Sequence, residues 1–310
     1  MSAVEPRIGK LVVVGVGLIG GSFALALRES GRVGEVVGVG RSRANLDAAL
    51  SLKVVDRAHT LDADWTREVA TADVVLVATP VAQFPAVFAA VAGVLSPGAV
   101  ATDAGSTKQN VIAEARAAFG ARFPQFVPGH PIAGTEHTGA AAAFATLYRD
   151  RNVVLTPVAE TDPQAVATVA ALWSACGAHV RALDAAAHDR IFAAVSHLPH
   201  VLAFALVDLL ATRPDAAEYF RYAASGFRDF TRIAAGSPEM WRDIALANRD
   251  AVLQAIDAYR GELDRIAAMV AAGDATGVEA VFARASQARR AWGARFAAPA
   301  AVPDDGPRER

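Results

Sequence analysis

Several short segments carry residue types that a folded core does not need. The first is Gly15-Val16-Gly17-Leu18-Ile19-Gly20, which follows Leu11-Val12-Val13-Val14 and leads into an alanine-rich stretch. Glycine at the first position permits a tight turn, and at the second it lets the backbone approach a pyrophosphate. At the third it lets a helix lie close to the strand, and the helix N-terminus offers free N–H groups to phosphate. Gly15, Gly17, Leu18, Ile19 and Gly20 are therefore expected to hold a dinucleotide. The next strand ends in Val39-Gly40-Arg41-Ser42-Arg43, with no acid to bind a ribose 2′-hydroxyl. Two guanidiniums and a hydroxyl suit a 2′-phosphate. Arg41, Ser42 and Arg43 thus point to NADP; NAD stays possible if Arg41 only stacks on adenine and Arg43 is solvated. Thr79 and Pro80 follow another strand candidate and are expected to wall the nicotinamide, because carboxyl ends of strands line the cofactor crevice.

Polar residues gather in four further places: Thr102-Asp103-Ala104-Gly105-Ser106-Thr107-Lys108, Gly129-His130-Pro131-Ile132-Ala133-Gly134-Thr135-Glu136, Ser196-His197-Leu198-Pro199-His200, and Gly226-Phe227-Arg228-Asp229-Phe230-Thr231-Arg232 ahead of Met240-Trp241-Arg242. His130 stands between Gly and Pro, off any apolar stripe, and an imidazole of pKa about 6.5 is a serviceable base near neutral pH. Ser106 has a second reading as a helix cap. Arg232 has one as the partner of Asp229, and His200 one as an ordinary buried histidine. His188, His197 and His200 lack the ligand framework of a metal site, so no metal is expected. His59, His137 and His179 read as surface or loop residues.

The elements that would position these residues change character near Asp184. Strand candidates Leu11–Val14, Glu35–Val39, Asp73–Ala78, Ala99–Thr102, Phe126–Pro128 and Asn152–Thr156 are nearly continuous in apolar residues, as strands covered on both faces must be. Alternation with helical stretches predicts a doubly wound parallel α/β sheet of Rossmann type, completed by a helix at Pro163–Ser174 and a strand at Ala178–Leu183. Residues 1–184 are read as this dinucleotide domain. Residues 185–298 read as an all-α substrate and dimerisation domain, with helices at Ala185–Leu210, Met240–Ala271 and Val278–Phe296. Breaks are expected at Pro214, Ser225–Gly226, Gly236–Pro238 and Gly273. So much apolar helix suggests burial against a second subunit. Residues 299–310 read as a disordered tail.

Bulk properties narrow the function classes. The chain has 310 residues, 53% of them hydrophobic, and a formal net charge of -2 without blocks of like charge, which argues against a nucleic-acid partner. The longest apolar run, Leu11 to Leu27, is broken by glycines and falls short of the ~20 residues of a membrane span. The N-terminus lacks the order of a signal peptide, and the single cysteine, Cys176, reads as a buried small residue. The expected location is the cytoplasm.

In this order, GLIGGS, ATP, TDAGSTK, GHPIAGTE, SHLPH and GFRDFTR resemble the prephenate/arogenate dehydrogenase family of tyrosine biosynthesis, from Gly15 to about Phe296. The resemblance implies a homodimer that oxidatively decarboxylates prephenate, or arogenate, with hydride transfer to NADP or NAD. It implies His130 as the base on the ring hydroxyl and Ser106 as its orienting hydroxyl. It makes Arg232 the grip on a substrate carboxylate, sets His200 and Trp241 on the pocket wall, and puts Thr135 and Glu136 near the entrance. A β-hydroxyacid dehydrogenase would place a catalytic lysine in the helical part, yet no lysine follows Asp184. A non-catalytic NADPH sensor would have no use for His130, Ser106 and Arg232.

Overall fold

Valine-rich runs become central strands here because β-branched side chains fill both faces of a sheet that helices cover. In the computed structural model, which describes residues 7–135 and 137–297, β1 (Ile8–Val14) and α1 (Leu18–Glu29) come first. There follow β2 (Val33–Gly40), α2 (Arg43–Ser51), β3 (Arg57–Thr60), α3 (Thr66–Val69), β4 (Val74–Val77), α4 (Phe84–Val94), β5 (Val100–Asp103), α5 (Gln109–Phe119) and β6 (Phe126–Val127). These six strands form one parallel sheet in the order β3-β2-β1-β4-β5-β6, a dinucleotide-binding topology. The order in which strands are added reverses between β1 and β4, and the crevice at their carboxyl ends is where such sheets bind ligands.

Two apolar layers sandwich the sheet. On one face Trp173 lies 4.3 Å from Phe23 and 5.0 Å from Tyr148, ring centre to ring centre. On the other, Phe88 packs against Phe84, Phe119 and Phe126 at 5.1–5.8 Å. All of these rings are buried, each stabilising the fold by about 1.5–3 kcal/mol. Cys176 is buried too.

The sequence reading placed the later strands in the same sheet, and the structure corrects that. β7 (Gly129–Pro131), β8 (Asn152–Leu155) and, after α6 (Pro163–Ala175), β9 (His179–Ala182) form a second sheet in which β7 runs antiparallel to β8. A three-residue strand beginning with glycine and ending with proline leaves no periodic signal. β3 was also unforeseen: Arg57-Ala58-His59-Thr60 is a half-exposed edge strand without an apolar run. His59, taken for a surface or loop residue, lies in it with Nε2 3.2 Å from Glu68 Oε1.

Beyond β9 the described residues are helical: α7 (Ala185–Phe192), a π-helical turn at Ala193–His197, α8 (Leu198–Ala211), α9 (Ala216–Tyr222), α10 (Ser225–Thr231), α11 (Pro238–Ala247), α12 (Arg249–Ala271) and α13 (Ala275–Ala297). Pro199 has no N–H to give the preceding turn, and the widened turn before it absorbs that loss. Three further expectations shift. Ser225 and Gly226 start α10 rather than breaking a helix. The predicted helix Met240–Ala271 is divided at Asn248, whose φ of -109° and ψ of 33° end α11. The 27-residue helical run Ala185–Ala211 is long and apolar enough to cross a membrane by length and composition, which the sequence reading overlooked. Its buried His188, Asp189 and His197 are bonded to other parts of the protein, as a core helix's polar groups must be.

The chain divides into two units, Met1–Leu253 and Gln254–Arg310. Everything that follows concerning the site lies in the first. In the second, α12 and α13 meet at Gly273 (φ 67°), with Leu263, Val270, Phe282 and Trp292 exposed. The predicted tail, 299–310, falls outside the described residues.

Candidate active site

The glycine loop is built as a cradle. Gly15 has φ 103°, and a Cβ there would stand 2.5 Å from the Ala78 backbone, so the turn from β1 into α1, pressed against the end of β4, admits only glycine. A Cβ on Gly17 would meet nothing within 4 Å. That open face is where a ligand's phosphates can approach. Gly17 begins α1 with no side-chain cap, leaving the first-turn N–H groups, including those of Leu18 and Ile19, without an intrahelical acceptor. The buried Thr79 Oγ1 has no hydrogen-bond partner among the described residues. Cradle, uncapped helix and orphaned hydroxyl together fit a dinucleotide. Pro80, beside Thr79, is half-buried.

The polar trio after β2 is arranged less generously than its composition suggested. Ser42 caps α2, its Oγ accepting from Asn45 N at 3.3 Å. Arg43 pairs with Asp47 at 2.9 Å on the surface. Arg41 is 62% exposed, with only a 4.0 Å approach to Glu239. Exposed pairs of this kind are weak, so Arg41 keeps its charge accessible.

A closed polar network organises the next strand end. Asp103 at the end of β5 and Lys108 before α5 are both 0% exposed, with Nζ 2.5 Å from Oδ2. Lys108 Nζ also donates to Gly129 O at 2.7 Å. Asp103 accepts from Gly105 N at 2.7 Å and Gly129 N at 3.0 Å. Burial raises the Asp103 carboxyl and lowers the Lys108 ammonium, each against the pull of the other charge. The pair thereby staples the Ser106 turn to the segment that enters β7. Gly129 is needed there because a Cβ would lie 2.9 Å from Asp103 O. Ser106 itself is half-buried and is not the cap of α5, whose N-cap residue is Lys108.

His130, half-buried in β7 opposite Val154, is one end of a second network. Its Nδ1 is 2.8 Å from His188 Nε2, and His188 Nδ1 is 2.8 Å from Asp189 Oδ1. Phe192 packs on both rings, 4.9 Å from His130 and 4.5 Å from His188. Burial first, then the nearby His188, Lys108 and His197, hold the His130 imidazole well below its ordinary range. From the break between α11 and α12, Asn248 Nδ2 donates to Asp189 O at 2.8 Å and faces His197 Nδ1 at 3.2 Å. Burial pushes His197 down to about 4, and the Ser106 backbone lies beside its ring. His200 stacks on Trp241 with centroids 3.4 Å apart and donates from Nδ1 to Ser196 O at 2.9 Å. Burial lowers its pKa, and so does the positive charge of Arg232. His130 thus lies near His197, whose ring meets the Ser106 backbone and Trp241, and His200 joins Trp241 to the neighbourhood of Arg232. Asp229, the alternative partner of Arg232, is 3.5 Å from Arg228. Thr135 lies on an exposed turn, accepting from His137 N at 3.2 Å. Glu136 falls outside the described residues.

Two family models match the chain in succession: the nucleotide-binding domain of prephenate dehydrogenase over residues 23–182, and its dimerisation domain over residues 184–284. The chain belongs to the prephenate dehydrogenase family. It is accordingly a pyridine-nucleotide-dependent dehydrogenase. It is 37% identical to the prephenate dehydrogenase of Bacillus subtilis over 90% of this chain and 75% of that protein. It is 35% identical to the cyclohexadienyl dehydrogenase of Zymomonas mobilis, covering 91% and 95%. Among solved structures it resembles Aquifex aeolicus prephenate dehydrogenase in complex with hydroxyphenyl propionate and NAD+ (TM-score 0.84, 34% identity, 91% and 97% covered). Synechocystis arogenate dehydrogenase is also similar (TM-score 0.75, 29% identity, 91% and 99% covered).

Sequence reasoning missed several residues of these networks. His188 was weighed only as a metal ligand, and Asp189, Asp103, Lys108 and Asn248 were given no role. Among the described residues no group of three His, Cys, Asp or Glu is placed to hold a metal. Spacing alone held one usable signal: a His-Asp pair inside an alanine-rich helix is an unusual thing to bury.

Proposed function

We propose that this enzyme converts prephenate to 4-hydroxyphenylpyruvate and CO₂ by oxidative decarboxylation in tyrosine biosynthesis, with NADP as preferred hydride acceptor and NAD as a usable one. One observation carries the reading: a neutral imidazole, His130, stands half-buried next to Gly129, which is bonded to Asp103 at the carboxyl end of β5, with its Nδ1 already engaged. A bound nicotinamide would take the hydride from ring C4. His130 Nε2 takes the proton of the C4 hydroxyl, Ser106 orients that hydroxyl, the electrons released as the C1–CO₂ bond breaks complete the aromatic ring, and His130 returns its proton to the resulting phenolate oxygen. Arg232 grips a substrate carboxylate in forked geometry, while His200 and Trp241 wall the ring. Thr135 and Glu136 belong to the entrance segment. Positioned proton transfer of this kind contributes ~10²–10⁴-fold.

The glycines at 15, 17 and 20, with Leu18 and Ile19, hold the pyrophosphate, and Thr79 and Pro80 flank the nicotinamide. Arg41, exposed and only loosely paired, is the main contact for a 2′-phosphate, with the Ser42 hydroxyl proton and Arg43 beside it. Arogenate, which carries an amino group where prephenate has a keto group, is the second reading, favoured by the likeness to the Synechocystis enzyme. Residues 1–184 form the dinucleotide domain and 185–298 the helical domain, through which two copies pair in the cytoplasm. Initial rates over both acids and both cofactors test the reading. Turnover of prephenate with NADP is expected; binding of cofactor without reduction in the presence of either acid would refute it.

A further inference from the structure

Asp189 accepts three hydrogen bonds: His188 Nδ1 and Lys108 N on Oδ1, both at 2.8 Å, and Gln109 N on Oδ2 at 2.9 Å. Burial alone would raise its carboxyl, but the bonds from His188, Gln109 and Lys108 outweigh that and hold it below the ordinary range. The carboxylate is therefore an acceptor only. His188, 0% exposed, must then keep its proton on Nδ1, which leaves Nε2 as a bare lone pair. Across 2.8 Å that lone pair faces His130 Nδ1, and two facing imidazole nitrogens can bond only if one of them carries the proton. The proton must sit on His130 Nδ1, so the unprotonated nitrogen of His130 is Nε2.

We infer that Asp189 and His188 are positioning residues that lock the tautomer of His130, keeping its Nε2 lone pair permanently available to the substrate hydroxyl. The inference rests on the reading of His130 as base. The lock is directional: the donors run from His130 through His188 to Asp189, and the carboxylate is pinned at the start of α5 by two backbone N–H groups. The same two N–H groups follow Ser106 in the chain, so one carboxylate fixes both the base and the loop that orients its substrate. Phe192, packed on both rings, holds their planes at 63°. A free histidine has no such constraint and can carry its proton on either nitrogen.

The test uses the full-length enzyme with ¹⁵N-labelled histidine, the His130 signals being assigned by their loss in His130→Gln. At neutral pH the wild type is expected to show His130 protonated at Nδ1 and bare at Nε2; the opposite tautomer overturns the inference. In kinetics, His188→Met removes the acceptor at similar volume and is expected to lower kcat about 10–100-fold, with KM and cofactor Kd unchanged. His188→Gln, which can still donate to Asp189 and accept from His130, is expected to recover most of that loss. Equal losses in the Met and Gln variants would mean that the site is merely packed, and overturn the lock. Near-normal kcat in His130→Gln would instead overturn the base assignment, while the tautomer measurement would still stand by itself.

Discussion

Two buried carboxylates, Asp103 at the end of β5 and Asp189 in α7, bond to opposite ends of the 105–109 segment, and they do opposite work. Asp103 meets Lys108 in a network closed on itself, with both side chains 0% exposed and the lysine's remaining bond going to a backbone carbonyl. Asp189 heads a network that runs through His188 and stops at His130, whose far nitrogen has been left for something else. A closed network can only hold shape. An open one, anchored at its inner end, presents its outer end in a defined protonation state, and that is what a general base requires.

The largest effect should come from cutting the open network at its tip: His130→Gln is expected to lower kcat ~10²–10⁴-fold while cofactor affinity, measured by fluorescence titration, stays as it was. Cutting the closed network should do the reverse. Lys108→Met leaves the Asp103 charge buried and uncompensated, and urea unfolding should show a loss of about 3–5 kcal/mol.

The depressed histidines sharpen the contrast along the pH axis. His197 titrates near 6.5 in the unfolded chain and at about 4 in the folded protein, so between those values the unfolded state binds the extra proton. Stability must therefore fall as pH drops through that window, by roughly 3 kcal/mol from this group once pH is below 4. Thermal melts from pH 7 to pH 4 should show a slope that is shallower in His197→Gln; an unchanged slope would remove His197 from the account. Arg232→Leu is expected to raise KM for the acid about 10–100-fold with kcat reduced less. Smallest is Arg41→Ala, which should raise KM for NADP about tenfold and leave KM for NAD nearly alone; equal changes for both would make Arg41 an adenine contact only.

The strand–turn–helix of the glycine loop was legible in the residues from 11 to 27 because its information is local: apolar strand, turn glycines and helix are contiguous. The α/β alternation, the change to helix after Asp184 and the segments bearing Ser106, His130, His200 and Arg232 were legible for the same reason. The second sheet was not, since β7 is three residues long and takes its register from β8, some twenty positions away. Nor was the break at Asn248, whose side chain bonds across to Asp189 O and faces His197.

The amino-acid order by itself determined which side chains are present to do chemistry and which short stretches would become strand or helix, because those depend on neighbours within a few residues. Which nitrogen of His130 is engaged, and which of the two buried carboxylates reaches it through His188, was decided only when 58 positions of chain closed to bring His188 against His130. Protonation states are set by what lies within hydrogen-bonding distance, and that neighbourhood exists only in the folded molecule.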